Sequence, residues 1–448
     1  MRLRDYLKAG LNTGDPAARL EGPDGGTPLA DLLDHQVLAG NPSVYAGKSV
    51  LLLTHSQASA AAALVALDGL ATRIVLCPPD FKREHLDTVL ATAEIDVIVA
   101  DSAETFPIHR MIAPVQSVEW TDVAETYETE WALFTSGTTG VPKLVVHTVD
   151  GLTGAIRNGT PPLDPVWATF YDIRRYGGLQ ILLRALLGGA TLGVGGANEA
   201  IEDYLTRLAH IGVTHLTGTP SHWRHALMSP RIGDLPLVYA RLSGEIADQA
   251  ILDRLQAAFP QARVGHAYAS TEAGVGFEVT DGLEGFPASY LERETPVAMK
   301  LVDGVLHIRS TRTAARYLGH DAPVLIEDDG YVNTDDMIEL RGDRCLFLGR
   351  KAGLINVGGL KIHPEEVEAV INRHPDVDLS RVYARKNPVT GALVAAEVVL
   401  KNPSRPELKQ EILTACRTYL GVAKTPVSLA FVDSLPMTAG GKLERKRG

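Results

Sequence analysis

Thr135-Ser136-Gly137-Thr138-Thr139-Gly140-Val141-Pro142-Lys143 follows the apolar run Trp131-Ala132-Leu133-Phe134. Gly137 and Gly140 permit positive φ and close backbone approach, so successive N–H groups can converge on an anion. Ser136, Thr138 and Thr139 add neutral donors, and Lys143 adds a mobile positive charge. This is the chemistry of holding a polyphosphate. It is not the GxxxxGK[ST] pattern, because Lys143 follows a proline and nothing suggests that it opens a helix. The competing reading is a solvated hairpin turn, in which Ser, Thr and Gly are also common.

Four further blocks follow in order. Tyr268-Ala269-Ser270-Thr271-Glu272-Ala273-Gly274 brings together an aromatic face suited to a purine, a hydroxyl suited to a phosphate and a carboxylate suited to a hard cation. Tyr331-Val332-Asn333-Thr334-Asp335-Asp336 offers carboxylates that could accept from the vicinal hydroxyls of a ribose, and otherwise reads as an acidic turn between strands. Gly349-Arg350 precedes Leu354-Ile355-Asn356-Val357-Gly358-Gly359-Leu360-Lys361 and the run His363-Pro364-Glu365-Glu366. Pro436-Met437-Thr438-Ala439-Gly440-Gly441-Lys442-Leu443-Glu444-Arg445 closes the series, and alone would read as a solubilising basic tail. In this order the five blocks resemble the signature elements of the AMP-forming adenylating superfamily: acyl- and aryl-CoA synthetases, stand-alone adenylation domains and beetle luciferases.

The resemblance implies two half-reactions. A carboxylate attacks the α-phosphorus of ATP to give an acyl-adenylate and pyrophosphate, and a thiol then displaces AMP. It also implies roles. The loop from Thr135 through Ser136, Gly137, Thr138, Thr139 and Gly140 to Lys143 cradles β- and γ-phosphates, Tyr268 lies by the adenine, Thr271 contacts the α-phosphate, and Glu272 holds Mg²⁺. Asp336 binds the ribose, Arg350 reaches ribose or phosphate, and Lys442 bridges the carboxylate and α-phosphate. Ala269 and Asp335 stand where the family has glycine, and Ala352, two residues after Arg350, stands where it has Asp or Lys; the adjacent Gly353 supplies backbone freedom for domain rotation. The thiol implied is that of CoA; the alternative is the phosphopantetheine of an acyl carrier protein, and a third reading is an inactive nucleotide-binding scaffold.

For the acid, the family's Pro-x-x-His-x-x-Gly segment corresponds to Phe170 through Gln180, which places Arg175 near the usual His with Tyr176 and Gly177 beside it. A buried Arg175 favours an acid with a second anionic or hydroxyl group; the alternative is an outward Arg paired with Asp172. Gly218, Thr219, Pro220, Ser243, Gly244, Glu245 and Ala267 are further wall candidates, while His147, Trp223 and His225 more often serve as core or surface residues. An amino-acid substrate is disfavoured because Asp172, the one carboxylate in that segment, lies at the wrong offset. The substrate class expected is an aryl or short acyl acid.

These residues need elements to hold them. Apolar strands separated by helices over the first 120 residues, as in 50–56, 58–71, 73–79 and 95–102, indicate a parallel sheet covered on both faces. The βα pattern resumes over 178–194, 199–220 and 253–270, and from about 300 short strands with tight turns read as antiparallel ribbon. After Arg350 an α+β unit begins with the helix 364–374. The fold class expected is therefore α/β with a domain boundary near 350, and the resemblance implies a large N-terminal ATP- and acid-binding domain over 1–349 and a small mobile C-terminal domain over 350–448 carrying Lys442.

Composition agrees. The chain has 448 residues, 45% hydrophobic and 22% charged, enough for two or three domains. A net charge of −11 makes a general affinity for nucleic-acid backbone or anionic membrane a poor expectation. Cys77, Cys345 and Cys416 are too scattered for a disulfide framework or structural zinc, which fits a reducing cytoplasm. No apolar run reaches a membrane span and the N-terminal stretch does not read as a secretory signal. Only 134 residues precede Thr135, fewer than is usual in the family, which suggests a trimmed first subdomain with an open face for a bulky acceptor.

Overall fold

Short apolar strands build the first sheet because both of their faces are covered. Ser49–Leu52, Arg73–Leu76 and Val97–Val99 pair in parallel, and Glu130–Phe134 joins them along Arg73–Leu76. The computed structural model describes residues 1–33, 38, 42–100, 112–113, 126–135, 143–157, 165–196, 198–388, 390–438 and 440–444. Two expected elements end early for visible reasons. The strand stops at Leu52 because the chain turns so that the Ser56 side chain can accept from Ser59 N and cap the helix Gln57–Leu67. That helix stops at Leu67 because Asp68 leaves helical geometry, and its carboxylate accepts from Leu3 N at 2.6 Å and Trp131 Nε1 at 2.9 Å.

A second sheet, of eight strands among the described residues, runs in the order Gly274–Val279, Arg263–Ser270, Tyr239–Ser243, His215–Gly218, Trp167–Thr169, Leu192–Val194, Arg19–Gly22, Gly25–Pro28. It is parallel inside and antiparallel at both ends. Helices Gln57–Leu67 and Tyr176–Gly188 share one apolar core with both sheets, including Leu52, Leu76, Trp131, Leu179, Leu183 and Leu192. The functional loops emerge where strands of both sheets end.

The expected ribbon is an antiparallel sheet containing Val297–Val302, Val305–Ser310, Val332–Arg341 and Arg344–Arg350. It ends at Arg350, and a single 3-10 turn, Lys351–Gly353, leads to Ile355–Val357 of a separate sheet. That sheet is covered by helices Pro364–Asn372 and Leu408–Leu420 over its own core of Ile355, Ile362, Val367, Ile371, Val382, Val398 and Ile412. Pro364 opens its helix with Glu365 and Glu366 in the first turn, where the helix dipole favours negative charge. The architecture is thus α/β with a large N-terminal part, a ribbon and a small α+β part.

The two parts are fastened by polar contacts. Asp248 Oδ2 takes Arg224 Nη2 at 2.5 Å and Asn372 Nδ2 at 3.2 Å, Arg254 Nη2 meets Asp378 Oδ1 at 2.9 Å, and Arg373 Nη2 lies 3.3 Å from Glu284. At the turn itself Ala352 N donates to Asp335 Oδ2 at 3.3 Å. Asp335 has φ +61°, a left-handed conformation that Asp tolerates better than most residues and that explains the family's glycine there. The side chain that replaces that glycine places a carboxylate at the junction.

Burial also sets an acid limit on stability. His147 and His215 are buried, and desolvation pushes each imidazole from 6.5 down to about 4. Unfolding restores the ordinary value, so the unfolded chain binds protons first as pH falls through about 6.5. Moving from pH 7 to pH 5 should therefore cost about 1–2 kcal/mol per histidine. Asp68 and Asp336, whose pKa values burial raises, return a little of this on acidification. Urea midpoints at the two pH values check this: the midpoint should fall at pH 5, and should fall less in His215→Gln.

Candidate functional site

The loop rises from a hairpin. Glu130–Phe134 pairs antiparallel with Leu144–His147, and Thr135 N donates to Lys143 O at 2.9 Å, tying the two feet together. Ser136, Gly137, Thr138, Thr139 and Gly140 lie outside the described residues. Lys143 is exposed and its Nζ stands 5.3 Å from the centroid of the Tyr317 ring. The Tyr317 hydroxyl is pushed up to about 12, chiefly by burial and next by the nearby Glu272 carboxylate. One tyrosine, absent from every motif, therefore links the Lys of the first block to the Glu of the second.

Thr271 and Glu272 occupy a tight turn between the antiparallel strands Arg263–Ser270 and Gly274–Val279, where Ala273 N donates to Ser270 Oγ at 2.9 Å. Gly274 is required, since its φ is +75° and any Cβ would overlap the Arg312 carbonyl. Neutral His147 supports the turn from behind, donating from Nε2 to Thr271 O at 2.7 Å, with its buried Nδ1 unpartnered. Among the described residues no three His, Cys, Asp or Glu side chains converge as a metal site. A lone carboxylate suits Mg²⁺ held mostly by phosphates and water, so Glu272 fits the ion as a single protein ligand.

Tyr268 packs between Phe277 and Phe347, with centroids 5.7 and 5.4 Å away and planes within 18° and 0° of parallel. Its hydroxyl donates to Asp336 Oδ2 at 2.6 Å, a positioning role additional to the expected adenine contact. Asp336 and Arg350 are cross-strand partners, which places Arg350 Nε 3.4 Å from Asp336 Oδ1. Burial raises the Asp336 pKa, opposed by Arg350, Tyr268 and Lys442.

Lys442 arrives on a turn that bonds to itself and to the N-terminal part. Thr438 N donates to Lys442 O at 2.8 Å, Thr219 Oγ1 to Gly441 O at 2.5 Å, and Leu443 N to Glu245 Oε1 at 3.0 Å. Lys442 Cε lies 3.5 Å from where a Cβ on Gly244 would stand, an ordinary contact, and Gly244 is favoured there by its φ of +84°. Burial and then Arg350 lower the Lys442 pKa, while Glu245 and Asp336 oppose that shift. A desolvated ammonium crowded by a guanidinium gains from an incoming anion.

Beside it a cavity is lined by Tyr176, Gly177 and Ser243 of the expected wall, together with Tyr171, Thr217 and Arg241. Gly218 instead packs on the Phe170 ring, and Ala267 is buried opposite Glu278; neither lines the cavity. Arg175 is also off the lining: it is ion-paired with Asp80 and lies 3.8 Å from the Cβ position of Gly440, facing the Lys442 turn. Asp172 pairs with Arg174 at 2.6 Å. Trp223 is core, donating from Nε1 to Arg241 O at 3.0 Å. The residues missed in sequence are Tyr317, His222 and Arg241. Only Arg241 left a signal, as the one charge in the buried strand Tyr239–Ser243.

The family model described as AMP-binding enzyme matches residues 37–305, and that described as AMP-binding enzyme C-terminal domain matches 366–442. A 2-succinylbenzoate–CoA ligase of Bacillus cereus is 24% identical over 432 residues, covering 89% of this chain and 87% of that protein. 4-Hydroxybutyrate–CoA ligase 1 of Metallosphaera sedula is 30% identical over 351 residues, covering 70% of this chain and 60% of that protein. Among solved structures, the anthranilate CoA ligase AuaEII in complex with anthranoyl-AMP superposes with a TM-score of 0.83 at 18% identity, covering 99% of this chain and 95% of that one. ATP-bound MatB from Rhodopseudomonas palustris gives 0.78 at 19% identity, covering 99% and 97%. Among the described residues no helix is long and apolar enough to cross a membrane. The chain belongs to the AMP-binding enzyme family, the AMP-forming adenylating superfamily, and is an AMP-forming ligase.

Proposed function

We propose that this ligase condenses a small aryl or short acyl carboxylic acid with ATP to an acyl-adenylate, releasing pyrophosphate, and then passes the acyl group to the thiol of CoA. The observation that supports this most is the placement of Lys442 against Gly244, the residue after cavity-lining Ser243, where its ammonium feels both Asp336 and Arg350. The acid occupies the cavity beside Tyr176, Gly177 and Ser243 with its carboxylate toward Gly244. Asp336, held by Tyr268, takes the ribose hydroxyls, and Thr271 and Arg350 take the α-phosphate. Mg²⁺ on Glu272, when bound, adds neutralisation of the phosphate charge.

The nucleophile is already ionised, so no general base is needed. The barrier lies in bringing an anion to a polyanion, and fixed positive charge lowers it. Lys442 supplies that charge between the two reactants, and Lys143 at the loop's foot offsets charge on the departing pyrophosphate. For the second step the part after Arg350 rotates about 351–353, which withdraws Lys442 and opens the face to the thiol.

Pyrophosphate release, followed across benzoates, hydroxybenzoates, short fatty acids and amino acids with and without CoA, tests this reading. Release with an aryl or short acyl acid, and a CoA thioester when CoA is added, is the expected result. Adenylate without thioester would replace CoA by a carrier-protein thiol, and release only with amino acids would overturn the substrate class.

A further inference from the structure

Among the described residues four arginines are buried: Arg174, Arg224, Arg241 and Arg381. Three face a carboxylate, Arg174 on Asp172 at 2.6 Å, Arg224 on Asp248 at 2.5 Å, and Arg381 on Glu397. Arg241 is the exception. It is 7% exposed, lines the cavity, and takes part with its guanidinium in none of the hydrogen bonds or ion pairs among the described residues; its Nε is buried without an acceptor.

The groups around it give its guanidinium no direct partner. Tyr171, Tyr176 and Tyr239 are neutral phenols, and Glu278 is already engaged by the Tyr239 hydroxyl and by Arg263 at 3.6 Å. Arg184, with its own Nε unpartnered, adds a second guanidinium close enough to repel the first. Arg312 adds a third near Tyr176, donating to the carbonyl of Val275 on the cavity wall at 3.2 Å. The single carboxylate Glu278 is shared among Arg241, Arg184 and Arg263. Glu278 helps keep Arg241 charged despite its burial, yet no acceptor among the described residues takes the guanidinium hydrogens, and a buried cation without a hydrogen-bonded partner is costly.

We propose that the acid substrate carries a second carboxylate, and that Arg241 in the cavity lining is the residue that selects it. The inference rests on the acid-activating reading above and adds a substrate class to it. Guanidinium–carboxylate pairing is planar and bidentate, so it discriminates by orientation as well as by charge. Arg241 and Gly244 are three residues apart on one strand end, which is about 10 Å of extended backbone. The acid therefore holds its two carboxylates apart on a ring or chain, one toward Lys442 and one on Arg241.

The test measures kcat/KM for pyrophosphate release with dicarboxylic acids, each paired with its mono-amide, in wild type, Arg241→Gln and Arg241→Lys. Wild type should prefer the diacid of the best pair by at least about 100-fold, Arg241→Gln should lose that preference mainly through KM, and Arg241→Lys should keep part of it. Melting temperature with diacid alone gives a readout independent of turnover: wild type should rise and Arg241→Gln should not. Because Arg241→Gln removes an unpaired buried charge, it should melt no lower than wild type in the absence of acid. Equal use of diacid and mono-amide by wild type, or an unchanged preference in a folded Arg241→Gln, overturns the role of Arg241 while leaving the ligase reading intact. Failure of every acid in both this set and the monocarboxylate panel overturns the two together.

Discussion

Replacing Lys442 by Ala should reduce acyl-adenylate formation by at least about 100- to 1,000-fold, the loss seen when one preorganised donor to a charged transition state is removed. Lys442 lies against Gly244, the residue after cavity-lining Ser243, and its ammonium is desolvated with Arg350 as a repelling neighbour. An anion relieves that stress, so the interaction strengthens as carboxylate and α-phosphate converge, the condition for lowering a barrier instead of merely binding a substrate. ATP binding should change only a few-fold, because the proposed ribose and phosphate contacts fall to Asp336, Arg350 and the loop. Pyrophosphate exchange and nucleotide binding, measured on the same variant, separate the two effects. Adenylation at the wild-type rate would remove Lys442 from the chemistry.

Which parts of this site were legible before the fold was known follows from where specificity resides in the chain. The Thr271–Glu272 turn, Asp336 and Lys442 are local strings whose residue types and order suggest their chemistry, as does the string 135–143, of which Ser136 to Gly140 lie outside the described residues. The α/β pattern was legible for the same reason: strands such as Ser49–Leu52 are apolar on both faces and the ribbon strands are short and turn-bounded. Element ends were less so, because Leu52 and Leu67 are fixed by a cap and by a carboxylate that reaches Leu3, 65 residues away in sequence. The acid wall was the weakest reading. Arg175 has the expected sequence position, yet Asp80, from a distant loop, draws its guanidinium to the edge of the site. Arg241 matters through what faces it, and Tyr171, Tyr176, Arg184 and Glu278 come from three other segments. Tyr317 and His222 were silent for the same reason, since their contacts to Glu272 and to the terminal turn exist only after folding.

His222 makes the sharpest of these long-range contacts testable with one methyl group. Gly441 has φ +68°, and a Cβ there would overlap the Cε1–Nε2 edge of the His222 ring. That ring has little room to retreat: it stacks on Phe170 at 5.4 Å, meets Tyr171 edge-on at 5.7 Å, and its Nδ1 takes Thr219 N at 3.2 Å. Gly441→Ala therefore displaces the turn, breaking the bonds from Thr219 to Gly441 O and from Leu443 to Glu245 that hold Lys442 in place. Adenylation should fall at least about 100-fold, the order expected when a positioned charge is lost, although Lys442 is still present. Thioester formation from a supplied acyl-adenylate should stay within about twofold if, as proposed, that step uses a rotated arrangement in which this turn is withdrawn. Adding His222→Ala to Gly441→Ala removes the overlap and should recover part of the lost rate, a coupling between the two positions that independent damage would not give. The left-handed backbone still disfavours alanine by about 1–2 kcal/mol, so recovery stays incomplete. If Gly441→Ala slows both half-reactions equally, the turn is not a gate for the first; if it slows neither, the docked position of Lys442 is not the one in which the adenylate forms.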